Sequence, residues 1–219
     1  MNVLSLGPDE LLTTTRSVRK RLDFVRPVER SLIEVCLEVA FQAPNGSNMN
    51  AWHWVVIDDR ETVAAAAGIY NAGLDDFIAS LGEATGDSYM GATVPRAEHI
   101  STSVQHLRDH MHRSPALLLP LMGGRVEGMN TFWQASQYGS ILQAVWSFFL
   151  ALRARGLGSA WTTGHLYQEE QMGELLGIDT KHYTQVGLFP IAYTLGTDFR
   201  PAWRKPAKEV VSWNRFGER

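Results

Sequence analysis

Between Glu127 and Arg153 the chain carries no charged side chain, and this interval constrains everything around it. Phe132, Trp133, Tyr138, Ile141, Leu142, Val145, Trp146, Phe148, Phe149, Leu150 and Leu152 fill it. Apolar groups then fall on nearly every face of a helix, which predicts a central helix from Thr131 buried over most of its circumference. The length would cross a bilayer. Gln134, Ser136, Gln137, Ser140, Gln143 and Ser147 argue against that, because each would need a partner in lipid. Arg153 and Arg155 suit the negative end of the helix, and Gly156 is a ready stop. The following Leu157-Gly158-Ser159-Ala160-Trp161-Thr162-Thr163-Gly164 predicts a short buried strand opening into a glycine-terminated turn. A helix feeding a strand with an open-backbone end is a good place to hold a flat ligand.

A chain of 219 residues, 45% hydrophobic and 20% charged, has the composition of a soluble globular protein. Its formal charge of −3 gives no pull towards nucleic acid. One cysteine, Cys36, excludes an internal disulfide and fits a reducing compartment. Without a basic, apolar leader, and with Asp9 and Glu10 opposing a transit peptide, a cytoplasmic protein is expected.

Along the chain, Pro8 to Thr15 predicts a short helix, followed by a basic run of Arg16, Arg19, Lys20, Arg21, Arg26 and Arg30. Arginine and serine donors close to a helix end could hold a phosphate. Pro27 to Gln42 has helical periodicity and stops at Ala43-Pro44. The amide-rich loop Asn45-Gly46-Ser47-Asn48-Met49-Asn50 is a binding loop or an ordinary turn. Trp52 to Asp58 predicts an internal strand, being nearly all apolar. Arg60 to Ala79 is helical with an expected break near Asn71-Ala72-Gly73, and Gly82 to Pro95 has no period and suggests a loop or lid. Arg96 to His112 is amphipathic and places His99, His106 and His110 on one face. That spacing can bind a metal, but no HExxH arrangement or cysteine ligand accompanies it, so no metal is expected.

Ala116 to Met122 predicts a buried strand, Gln168 to Leu176 a helix, and Thr184 to Leu195 a long strand interrupted at Pro190. The tail, 199–219, carries Trp203, Val210, Val211 and Trp213 among its cations and predicts docking on another surface, such as a second subunit. No repeat appears, and helices alternating with buried strands suggest one α/β-type unit over 1–219.

Phosphate-loop, dinucleotide-fold and nucleophile-elbow motifs are missing. Two basic segments, an amide-rich loop and an open-backbone turn suit a phosphate-tailed aromatic cofactor better than a nucleophile and base. Four segments in order resemble the FMN-dependent nitroreductases. Arg16-Ser17-Val18-Arg19 is similar to that family's N-terminal phosphate motif R-S-x-R, and Ala43-Pro44-Asn45-Gly46-Ser47-Asn48-Met49-Asn50-Ala51-Trp52 to its A-P-S-x-x-N-x-Q-P-W loop. Gly156-Leu157-Gly158 resembles its G-L-G strand start, and Trp203-Arg204-Lys205-Pro206 its C-terminal K/R-x-P. Thr15 stands where many members have an arginine, Asn50 replaces the usual glutamine and Ala51 the usual proline.

The resemblance implies an α+β, three-layer fold with a central mixed sheet flanked by helices. It also implies an intertwined homodimer, FMN at the subunit interface and the 199–219 tail wrapped on the partner. Arg16, Ser17, Arg19 and Arg204 would hold the FMN phosphate. Asn48, with Pro44, Asn45, Ser47 and Asn50, would approach the flavin across the interface, and Thr162, Thr163 and Gly164 would lie at its N5 edge. NADH or NADPH would supply electrons to a small aromatic or quinone-like acceptor, with the flavin carrying the chemistry and no catalytic side chain required. Dehalogenation, enone reduction, flavin breakdown and non-catalytic flavin binding are the alternatives the same fold implies.

Overall fold

The computed structural model describes residues 3–83 and 97–218. Helix α1 (Pro8–Thr14) has Pro8 in its first turn, where a missing N–H costs nothing, and Asp9 and Glu10 at its positive end. Strand β1 (Leu22–Asp23) leads to α2 (Arg30–Ala40), which buries Leu32, Ile33, Cys36, Leu37 and Ala40 as one stripe. After the 3-10 turn Gly46–Asn48 come β2 (Trp52–Ile57), α3 (Arg60–Glu83), α4 (Ala97–His110) and β3 (Ala116–Gly123). Helix α5 (Thr131–Ala154) starts where the Asn130 side chain accepts the Trp133 N–H. Then follow β4 (Leu157–Gly158), a 3-10 turn at Gly164–Gln168, α6 (Glu169–Leu176), β5 (Tyr183–Gln185), β6 (Phe189–Thr194) and α7 (Ala207–Val210).

The strands run in the order β1-β6-β3-β2, with β4 also on β6 and β5 on β3. All these ladders are antiparallel, and the sheet's parallel character lies in two isolated bridges, Ser17–Ser159 and Gly124–Tyr183. Strand β3 fixes the layering through its period of two. Leu118 and Met122 pack with Ile33, Val145, Phe148 and Leu152 towards α2 and α5. Leu117, Leu119 and Leu121 pack with Val63, Ala66, Tyr70, Leu107 and Met172 towards α3, α4 and α6. Each fully buried side chain of this kind contributes about 1.5–3 kcal/mol. Truncating Leu118 or Phe148 to alanine would therefore cost more than breaking any of the molecule's exposed ion pairs.

Several expectations change. Among the described residues strand β2 is the sheet's edge and pairs only with β3. Its apolar run reflects cover on both faces, with Trp52, Trp54 and Val56 on one core and Val55 on the other. Helix α3 runs unbroken through Asn71 to Gly73. The glycine is there for close approach, since a Cβ on it would collide with the backbone of Gly164. The 157–163 strand shortens to Leu157–Gly158, because beyond it the chain pairs singly through Ser159 with Ser17. The 184–195 strand breaks at 186–188 and not at Pro190, which pairs with Leu117 inside β6. There the Val186 N–H donates to Pro120 and the Leu188 N–H to Thr162, turning the chain from one neighbour to another. Beyond Glu83, the expected 82–95 loop lies outside the described residues.

The central helix is the largest correction. Helix α5 buries one face from Ile141 onward, through Ile141, Ala144, Val145, Phe148, Phe149, Ala151 and Leu152, while Leu142 and Trp146 stay exposed and, in the first turn, Phe132 is 66% and Trp133 51% exposed. Within one chain, the all-round apolar pattern is only half covered.

Candidate functional site

The basic run does not stay together. Arg21 donates to the Leu195 carbonyl at 2.8 Å and pairs with Asp198 at 2.5 Å, the Arg26 guanidinium lies 3.4 Å over the Tyr193 ring, and Arg30 pairs with Asp58. Arg16, Ser17 and Arg19 instead line a cavity of about 1210 Å³, and Arg204 and Lys205 come to the same wall from the opposite end of the chain. Among the described residues lining it there is no carboxylate. The other walls are aromatic and aliphatic: Trp146, Phe149, Leu142 and Val145 of α5, with Trp161 and Trp203. The cavity is therefore amphiphilic, cationic on one side and flat-faced apolar on another.

Three bonds hold the cationic side in shape. Arg16 Nη1 donates to the Arg200 carbonyl at 2.6 Å, which ties the base of the tail to the start of the motif. Arg19 Nη1 donates to Ser103 Oγ at 3.3 Å, and Lys20 Nζ to Thr102 Oγ1 at 3.1 Å, so α4 closes the flank. Among the described residues half-buried Arg19 has no acid partner, and burial pulls its guanidinium below the ordinary arginine value while nearby Tyr70 acts in the other direction. Arginines that stay charged without carboxylates are donors in search of an anion. A phosphate fits this side, since it offers several acceptor oxygens and the missing negative charge. Thr15 adds no donor here, because its hydroxyl is committed to the Leu11 carbonyl at 2.7 Å.

The loop at 44–50 lies elsewhere. Asn45, Gly46 and Met49 pack on Gln137, Ser140 and Ile141 in the middle of α5, and none of the loop lines the large cavity of the same chain. The Gly46 N–H donates to Ser140 Oγ at 2.8 Å. Asn45 and Asn50 close the loop on each other, Asn50 N–H to Asn45 Oδ1 at 2.9 Å and Asn45 Nδ2 to Asn50 Oδ1 at 3.1 Å. Asn50 Nδ2 goes to the Asn48 carbonyl, so both amides are used as scaffold. Ser47, Asn48 and Asn50 all have φ between 50° and 53°, a left-handed conformation that asparagine tolerates and serine adopts at a cost. This strained geometry leaves the Pro44, Ser47 and Asn48 side chains exposed on an outward-facing ledge.

The turn after β4 is also separate from the large cavity, whose wall takes Trp161 but not Thr162, Thr163 or Gly164. The Thr162 hydroxyl is turned inward to the Leu188 carbonyl. Thr163 is exposed and heads the 3-10 turn without a side-chain cap, so the first N–H groups there have no partner inside the turn. Gly164 is buried, and its missing side chain makes room for α3: a Cβ would stand 2.9 Å from Leu74 Cγ and 3.0 Å from Tyr70 Cε2. His165 is wholly buried, with neither ring nitrogen bonded, and desolvation lowers its pKa to about 4. It is a neutral packing residue at neutral pH.

The histidine face on α4 divides. His99 lines the large cavity, whereas the His106 and His110 rings stack on each other with centroids 4.3 Å apart and on Phe24. Stacked rings cannot aim two in-plane lone pairs at one ion. Cys36 is buried, its thiol pushed up to about 11 by desolvation, and is inert packing. Sequence reasoning missed Ser103, Trp146, Trp161 and Lys205 as wall residues. Lys205 had a signal in its place in the Trp203–Pro206 motif and Trp161 in its place in the Gly156–Trp161 segment, whereas Ser103 and Trp146 had none.

Residues 12–193 match the model of the Nitroreductase family. No curated protein matches the chain. Among solved structures, a BluB-like flavoprotein from Clostridium difficile 630 superposes with a TM-score of 0.71 at 17% identity, covering 96% of this chain and all 100% of its own. An FMN and NADPH-dependent nitroreductase, NfnB, from a Sphigopyxis strain gives 0.68 at 21% identity, covering 96% and 100%. An iodotyrosine deiodinase bound to FMN and 3-iodo-L-tyrosine gives 0.67 at 19% identity, covering 95% and 99%. No helix among the described residues is long and apolar enough to cross a membrane.

Proposed function

The chain belongs to the nitroreductase family, and from that premise we propose that it is an FMN-dependent oxidoreductase. It would draw on NADH or NADPH and reduce nitro compounds, quinones or similar electron-poor acceptors. The observation that carries this reading is the carboxylate-free cationic wall of Arg16, Arg19, Arg204 and Lys205 facing an aromatic one. When bound, FMN would supply the hydride chemistry, taking a hydride from the nicotinamide and giving it to the acceptor.

The chain's own residues bind and orient. Arg16, Ser17, Arg19 and Arg204 hold the phosphate, each arginine contributing about 1.5–3 kcal/mol through charge-assisted hydrogen bonds. The backbone N–H groups at Thr163 and Gly164, at the uncapped start of the 3-10 turn, would orient the ring edge. The Pro44, Ser47 and Asn48 ledge serves the site of a second subunit, since it faces away from the large cavity of its own chain. The exposed half of α5, with Phe132, Trp133, Tyr138, Leu142 and Trp146, is the surface on which that second copy and its 199–219 tail would pack.

The test is anaerobic titration of the purified, FMN-loaded protein with NADH and NADPH in turn, followed by a nitroaromatic, a quinone and a halogenated phenol. Bleaching by a reduced nicotinamide and recovery of colour on adding the nitroaromatic or quinone is the expected result. A flavin that no nicotinamide bleaches would leave a flavin-binding protein without this activity.

A further inference from the structure

From 195 to 206 the chain runs irregularly between β6 and α7 and delivers Arg204 and Lys205 to the wall of the large cavity. Arginines hold the first part of this run. The Arg21 carbonyl accepts the Leu195 N–H at 2.8 Å, and Arg21 Nε donates to the Leu195 carbonyl at 2.8 Å. Arg153 Nη2, at the end of α5, donates to the Thr197 carbonyl at 3.0 Å. Arg21 Nη2 pairs with Asp198 at 2.5 Å, and Arg16 Nη1 donates to the Arg200 carbonyl at 2.6 Å. Over the Phe199 ring lie two guanidinium groups, Arg21 at 4.3 Å and Arg153 at 5.0 Å from its centre. Burial and the Arg21 charge both pull the Arg153 guanidinium below the ordinary arginine value, with Glu10 acting the other way. The two cations repel each other, and the electron-rich face of the ring is the partner they share.

Beyond Arg200 this hold stops. Among the described residues Arg204 donates only to the carbonyl of its own neighbour Trp203, at 2.8 Å, a bond that moves with the chain. Four residues span at most about 14 Å, so the place where Arg200 is fixed decides where Arg204 can reach. Fixing the root also keeps the Arg204 guanidinium at a high local concentration beside Arg16 and Arg19. Phe199 does not line the large cavity, so any influence it has on a ligand there passes through other residues. We infer, resting on the phosphate reading above, that Phe199 is a positioning residue for FMN. Its ring, gathered under Arg21 and Arg153, fixes the root of the tail so that Arg204 meets the phosphate.

Affinities of the full-length protein for FMN and riboflavin, read by quenching of flavin fluorescence, test this. Phe199→Leu keeps an apolar side chain and loses the ring face. It should lower the preference for FMN over riboflavin about three- to tenfold with riboflavin affinity nearly unchanged, whereas Phe199→Tyr should keep the unmodified preference. In an Arg204→Ala background the leucine substitution should lower the preference less than about twofold, because no guanidinium is left to place. Should the leucine variant fail to fold, Arg21→Met removes another member of the clamp and should act in the same way. An unchanged preference in the leucine variant, equal losses for FMN and riboflavin, or losses that multiply in full in the double variant would overturn the inference and leave the phosphate wall standing. Equal binding of the two flavins by the unmodified protein would remove the phosphate reading and this inference with it.

Discussion

Gly73 of α3 and Gly164 at the head of the following 3-10 turn meet backbone to backbone. A Cβ added at Gly73 would fall well inside 3.0 Å of the Gly164 carbonyl oxygen, closer than real Cβ atoms come. Neither glycine is needed for a positive φ, since both lie outside the left-handed region. Each is small so that α3 can pin the turn proposed to orient the flavin. Gly73→Ala must displace backbone and should cost about 3 kcal/mol or more. Gly164→Ala meets only the side chains of Leu74 and Tyr70, which can yield, and should cost about 1–2 kcal/mol. Urea unfolding of the two variants gives the order, and a Gly73 variant as stable as the unmodified protein would refute the close packing.

His165 makes stability depend on pH. Unfolded, it takes up its proton near 6.5; folded, burial holds that back to about 4. Between those values the unfolded chain binds more protons, so stability is full above about pH 6.5 and is lost as pH falls towards 4, by at most about 3 kcal/mol. His165→Leu should flatten the profile across that window and keep turnover at pH 7. If the variant keeps the full acid sensitivity, the loss belongs to another group; if it stops turnover while remaining folded, the histidine is more than packing.

Exposed aromatic residues on α5 predict self-association. Unmodified protein should sediment as a dimer at micromolar concentration, and Trp133→Glu, placing a charge at a 51% exposed tryptophan, should shift it towards monomer. A monomeric unmodified protein that retains its flavin would contradict the proposed assembly.

Much of this was legible in the sequence, and the gaps have physical reasons. Periodicity located α2, β3 and α5 because each puts apolar side chains at a fixed angular step against a core. It could not tell β2, covered on both faces, from a strand with neighbours on both edges. It misread Gly73 as a break because close approach and helix breaking leave the same residue in the sequence. Arg16, Ser17 and Arg19 stood out as clustered donors and Arg204 through the family resemblance, and all four line one cavity. Asn45 and Asn50 are amides like Asn48, yet only coordinates show that two of the three are spent on holding the loop. Arg153 looked like a helix-end cation and proved buried, which no local pattern records.

Comparing the affinity for FMN with that for riboflavin, which lacks the phosphate, tests the central claim most directly. The unmodified protein should prefer FMN by roughly a hundredfold or more, and Arg19→Ala and Arg204→Ala should each reduce that preference about ten- to a hundredfold while leaving riboflavin binding nearly unchanged. Equal binding of the two flavins by the unmodified protein, or an FMN preference untouched in both variants, would show that the cationic wall does not hold the phosphate.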